Sequence, residues 1–154
     1  IFHQLGDIHI QRLAWKEAAA AYDAIRQLSP EDEKASLRLI DLYFKQGQDE
    51  QAMQIVDGCV KRYAEQGVPQ RAVSLLRDLY EAHAKDERLR SRYVDALVAT
   101  RDIDRAVGAL DAWGESLLSV GKIAEGIAVI ERIVSLKPKN VEDYLALLEQ
   151  LRTG

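Results

Sequence analysis

Apolar residues recur three and four positions apart along most of this chain. Leu39, Leu42 and Tyr43 begin one such stripe, which Gln46 extends as a polar member. Ala72, Leu75, Leu76 and Leu79 form a second, Ile123, Ile127, Ile130 and Ile133 a looser third, and Tyr144, Leu147, Leu148 and Leu151 a fourth. That spacing places each set on one face of an α-helix. Breakers and caps divide the chain into nine helices, over 1–13, 15–28, 32–46, 48–66, 68–84, 87–100, 102–120, 122–137 and 141–152. Ser29-Pro30-Glu31-Asp32 reads as an N-cap serine, a first-turn proline and an acidic first turn. Gly47, Gly67 and Gly121 stand where helices should end, because glycine accepts the left-handed C-terminal conformation. Pro69 suits a first turn, and Asn140 can cap the last helix. No strand-like alternation or low-complexity linker interrupts the pattern. Short connections predict antiparallel neighbours in an all-α fold.

The helices are also repetitive. Leu5-Gly6-x-x-His9 precedes Ala18-x-x-x-Tyr22 and Pro30. Leu39-Ile40-x-x-Tyr43 precedes Ala52-x-x-x-Val56, and Trp113-Gly114-x-x-Leu117 precedes Gly126-x-x-x-Ile130 and Pro138. A longer register overlies this one. Residues 33–86 align without a gap on 87–140, an offset of 54 residues that pairs Asp41 with Asp95, Ala52 with Ala106 and Gly67 with Gly121. The unit therefore spans three helices. The first 32 residues read as the last two helices of an earlier unit, and the final helix as the first of a following one. One repeat domain over 1–154 is the expectation. Since the chain opens on Ile1, it reads as a fragment of a longer protein. Its compositional style is bacterial.

These motifs resemble the tetratricopeptide repeat, in which a Trp-x-x-Leu-Gly-x-x-Tyr helix pairs with one carrying Ala and an aromatic four residues on, then Pro. The first stretch matches at Leu5, Gly6, Ala18, Tyr22 and Pro30. The second matches at Leu39, Tyr43, Gly47 and Ala52, with Ala64 where Pro is expected. The third matches at Gly114, Gly121 and Pro138, with Trp113 at the Leu position and Gly126 at the Ala position. The resemblance implies a right-handed α–α superhelix, a solenoid of about nine antiparallel helices. It also implies a concave groove that binds a peptide or helix of a partner protein. Groove positions carried over by the resemblance are His3, Asp7, Lys34, Arg38, Asp41, Phe44 and Lys45, with Asp111, Glu115, Glu142 and Glu149 further along. Some relatives clamp a carboxylate with Lys and Asn. Here Asp7 and Asp41 replace Asn, and an acid there would repel that ligand.

Composition narrows the function classes. Lys plus Arg number 21 against 25 for Asp plus Glu, a net charge of −4. No basic stripe suited to nucleic acid appears. No apolar run approaches the roughly 20 residues that span a bilayer, and no secretory signal opens the chain, so the expected location is the cytoplasm. Cys59 is the single cysteine and has the spacing of a core residue. His3 and Asp7 stand one turn apart and could act as an acid–base pair. No nucleophile or ligand cluster accompanies them, so a surface hydrogen bond is the simpler expectation. His9 takes a packing position, His83 lies near a helix end, and the three histidines lack metal-ligand spacing. Arg38/Asp41 and Arg92/Asp95 are expected as pairs along a helix. Trp113 reads as core, while Trp15, after a turn, is the more exposed tryptophan. Neither a phosphate loop nor a nucleophile elbow occurs. The expectation is a protein-interaction scaffold without enzymatic activity or cofactor. Its partner is a protein or peptide, with a slight lean to a basic or apolar one. The alternative is a self-association or regulatory module of a larger protein, a homodimer forming through an open solenoid end.

Overall fold

The computed structural model describes residues 2–29 and 32–154, with side chains from Ala14 onward. Every regular element among them is an α-helix. The chain divides into two compact units, residues 1–68 and 69–154.

The first unit holds α1 (Phe2–Leu28), α2 (Glu33–Lys45) and α3 (Asp49–Glu65), with α2 packed against both neighbours. Its core draws Leu39 and Ile40 from α2 and Ala52, Val56, Cys59 and Tyr63 from α3. The second holds α4 (Pro69–Ala82), α5 (Glu87–Ala99), α6 (Ile103–Ser119), α7 (Ile123–Ser135) and α8 (Val141–Thr153), each packed on the next. Leu75, Leu76, Leu89, Leu97, Leu110 and Ile133 are its most deeply buried large residues.

Among the described residues eight helices replace the expected nine, because one continuous α1 runs through the break expected between 13 and 15. The 54-residue register explains why. Where later sequence has Gly67-Val68-Pro69, the first stretch has Leu13-Ala14-Trp15. None of these residues favours the left-handed conformation or lacks an amide, so nothing stops the helix.

Four of the turns share one chemistry. After α2, the Gly47 amide donates to the Phe44 carbonyl at 3.1 Å and the Gln48 amide to the Tyr43 carbonyl at 2.8 Å. This is a Schellman turn, which satisfies carbonyls left open at a helix end. It recurs after α3 at Gly67 and Val68, after α5 at Arg101 and Asp102, and after α6 at Gly121 and Lys122. The left-handed residues have φ of 72°, 73°, 63° and 82° in that order. Gln48, Asp102 and Lys122 are each also the N-cap of the next helix, so the chain reverses within three residues. The wider connections before α2 and α5 end in capping aspartates. The Asp32 carboxylate accepts from the Ala35 amide at 3.1 Å, and Asp86 from the Arg88 and Leu89 amides at 2.9 and 3.2 Å. The cap of α2 is thus Asp32 rather than Ser29. Asn140 stands at the N-cap of α8 but makes no side-chain cap bond.

Burial refines the stripe on α7. Gly126, Val129, Ile130 and Ile133 are buried, whereas Ile123 is 41% exposed. The core face is therefore rotated from the isoleucine stripe toward Gly126. A residue without a Cβ there allows close approach: a Cβ on Gly126 would lie 2.6 Å from Leu118 Cδ2. Among the described residues no helix is long and apolar enough to cross a membrane.

Candidate functional site

Five of the expected groove residues lie on α2. Its buried arc comprises Ala35, Ser36, Leu39 and Ile40. Lys34, Arg38, Asp41 and Lys45 are spaced by four, three and four residues, which at ~100° per residue confines them to a stripe about 60° wide. Lys34, Arg38 and Lys45 are exposed and Asp41 is half-buried. The Lys45 ammonium lies 3.5 Å from the Asp41 carboxylate, an ion pair one turn along the helix. Phe44 is half-buried at the border between this stripe and the buried arc. His3 and Asp7 have side chains outside the described residues, as does His9.

The second unit contains a cleft of about 300 Å³ between α5, α6 and α7. Leu110, Trp113 and Leu117 of α6 line it, with Ala128 and Val129 of α7. Glu87 and Glu125 add exposed carboxylates, and Arg132 a guanidinium. The surroundings of the cleft are braced. Arg132 Nη2 lies 2.6 Å from Asp95 Oδ1, tying α7 to α5. The 54-residue mates of Arg132 and Asp95 are Asp78 and Asp41, two acids that cannot form such a pair. The Tyr144 hydroxyl donates to Asp111 Oδ1 at 3.2 Å, tying α8 to α6. Asp111, one of the carried-over groove positions, is thereby engaged within the unit, while Glu115, Glu142 and Glu149 are exposed.

Trp113 is held from below. The Arg90 guanidinium lies 4.6 Å from its ring centroid. Arg90 is only 9% exposed; its Nη2 donates to the Ala84 carbonyl at 3.2 Å, and its Nε and Nη1 lack hydrogen-bond partners among the described residues. A desolvated cation over an indole contributes about 2 kcal/mol, which partly offsets the unmet donors. The 54-residue mates of Arg90 and Trp113 are Ser36 and Cys59, both fully buried. The same two positions thus hold a small pair in one unit and a large cation–π pair in the other.

The remaining candidates lie apart from the α2 stripe and the cleft. Cys59 is buried, as its spacing predicts. Trp15 is half-buried, and His83 follows the end of α4. Burial raises the phenols of Tyr63, Tyr93 and Tyr144 above the ordinary 10.0, with Asp111 adding to the effect at Tyr144. Among the described residues no group of three His, Cys, Asp or Glu side chains could hold a metal ion.

Comparison with known proteins bears on this arrangement. The tetratricopeptide repeat family model matches twice, over residues 10–65 and 63–117. The chain belongs to the tetratricopeptide repeat family. A solved structure of a thermophilic TPR protein from Thermus thermophilus is 17% identical, with 98% of this chain and 97% of that chain covered at a TM-score of 0.30. No curated protein matches. The all-α, TPR-like class of fold expected from the motifs holds, with eight helices among the described residues. Tetratricopeptide repeats generally mediate protein–protein interaction and are typically not enzymes.

The family match clarifies what sequence reading missed. Trp113 reads as core because it occupies a TPR packing position, yet it is half-buried and lines the cleft. Glu87, Glu125 and Ala128 belong to no TPR signature position, so only their juxtaposition in space identifies them.

Proposed function

We propose that this TPR chain is a non-enzymatic interaction scaffold that receives a peptide or helix of a partner protein in a groove. The observation that carries the reading is the α2 face, where Lys34, Arg38, Asp41 and Lys45 form one solvent-facing stripe bordered by the aromatic Phe44. Charged residues on such a face set register and partner choice, and a bordering aromatic supplies apolar contact. The wider set of groove positions, with acids in excess, favours a basic or apolar segment. Two three-helix units, 33–86 and 87–140, form the repeat. Support comes from helices that begin at the same offset: Glu33 and Glu87, Asp49 and Ile103, Pro69 and Ile123. The test is co-purification by the chain and by an Arg38→Ala/Phe44→Ala variant whose thermal melt confirms folding. Loss of a partner retained by the parent chain is the expected result; identical capture by both would count against the α2 groove.

One observation favours a second reading, association through α8. Leu145 is 45% exposed on that helix, and an exposed apolar residue on a helix face can pack on another copy. Light scattering across a wide concentration range tests it, and a constant monomer mass would exclude it.

A further inference from the structure

We infer that the cleft beside Trp113 docks an apolar side chain of a partner segment that also carries Lys or Arg within one helical turn. The inference rests on the interaction reading above but places a second contact away from α2 and specifies the partner's chemistry. Three observations converge. First, the cleft is apolar at its base and of useful size. Leu110, Trp113, Leu117 and Val129 enclose much of its roughly 300 Å³, the lower end of the range for binding pockets, about 300–1,000 Å³. One or two apolar side chains suit it better than a bulky cofactor. Second, the cleft is preformed. Arg90 stacks on Trp113 at 4.6 Å, and the Arg132–Asp95 pair joins α7 to α5 at 2.6 Å. A wall ordered in advance reduces the entropy lost on binding. Third, the edge is acidic. Arg132 is balanced by Asp95, and the Arg90 charge beneath Trp113 offsets one of Glu87 and Glu125, so the cleft keeps a small acidic excess. A cationic neighbour of the anchoring side chain is favoured there, and an acidic peptide or a nucleic-acid phosphate is repelled.

Ala128 supplies the decisive perturbation, because it lines the cleft yet is exposed. A tryptophan at this position would occupy the space without disturbing buried residues. The probe is a phage-displayed library of short random peptides, selected on the intact chain and resynthesised for titration. Selected peptides are expected to carry Leu, Met, Phe or Trp with Lys or Arg three or four positions away. Their affinity should fall about 10- to 100-fold on Ala128→Trp, as exclusion of one apolar side chain requires. On Glu87→Gln/Glu125→Gln it should fall severalfold, with a weaker dependence on salt. Circular dichroism melts of both variants establish that they fold. Peptides that bind Ala128→Trp as well as the parent, or that are predominantly acidic, would overturn the cleft proposal. If those peptides lose binding on Arg38→Ala/Phe44→Ala, the interaction reading itself stands. Failure to select any peptide on the intact chain would count against both.

Discussion

The same small substitution at two glycines should have opposite effects. Gly114 in α6 and Gly126 in α7 are both buried, and both occupy helix interiors. Replacing either by alanine restricts the unfolded chain and improves helix propensity, a gain of about 0.5–1 kcal/mol. The surroundings then decide the sign. A Cβ on Gly114 would meet Val129 Cγ1 at 3.6 Å and Ile130 Cγ1 at 3.8 Å, ordinary contact distances. A Cβ on Gly126 would lie 2.6 Å from Leu118 Cδ2 and 2.9 Å from Leu118 Cγ. Leu118 must then change rotamer or α6 and α7 must separate, at a cost of about 1–3 kcal/mol. Gly114→Ala should therefore stabilise by about 0.5–1 kcal/mol, and Gly126→Ala should destabilise by about 1 kcal/mol. Urea unfolding followed by far-ultraviolet circular dichroism and tryptophan fluorescence measures both. A double-mutant cycle isolates the cause: in a Leu118→Ala background, Gly126→Ala should become stabilising. Equal stabilisation by the two single substitutions would refute the close approach of α6 and α7 at Gly126.

Other consequences follow from the turns, caps and buried tyrosines. Arg101 adopts φ of 63° in a Schellman turn where the equivalent position holds Gly47, so Arg101→Gly should raise stability by about 0.5–1 kcal/mol in the same denaturation assay. Asp86 caps α5 through two amide bonds, and Asp86→Ala should lower stability by about 1 kcal/mol. The phenols of Tyr63, Tyr93 and Tyr144 are raised above 10.0, chiefly by burial. Above about pH 10 the unfolded chain loses these protons first. Stability should be intact below that pH and fall as pH rises toward the folded-state values. Melting temperatures at about pH 9 and about pH 11 check the decline, and Tyr144→Phe should make it shallower.

Much of the fold is written in local signals. Gly47, Gly67 and Gly121 mark turns because only a residue tolerant of positive φ closes a Schellman hairpin cheaply. Arg101 does the same work without announcing it, since its neighbours rather than its own preference impose the conformation. The failure at Leu13-Ala14-Trp15 is equally local. Repeat logic demands a break there, but the residues themselves propagate a helix, and propagation prevails. Burial on α7 depended on a contact that periodicity cannot see: a Cβ on Gly126 would crowd the Leu118 side chain. The candidate sites divide in the same way. The α2 stripe was legible, because Lys34, Arg38, Asp41 and Lys45 lie on one helix at helical spacing. The cleft was not, because Glu87, Trp113, Glu125 and Ala128 come from three helices.

Site-specific photo-crosslinking in its native cells would show whether this TPR chain receives a segment of a partner protein. A photoreactive amino acid would be placed in turn at Arg38, at Ala128 and at the exposed control positions Gln54 and Asp78. Adducts with a discrete partner protein are expected from Arg38 or Ala128 and none from Gln54 or Asp78. Absence of adducts at both Arg38 and Ala128, or equal adducts at all four positions, would contradict the interaction reading.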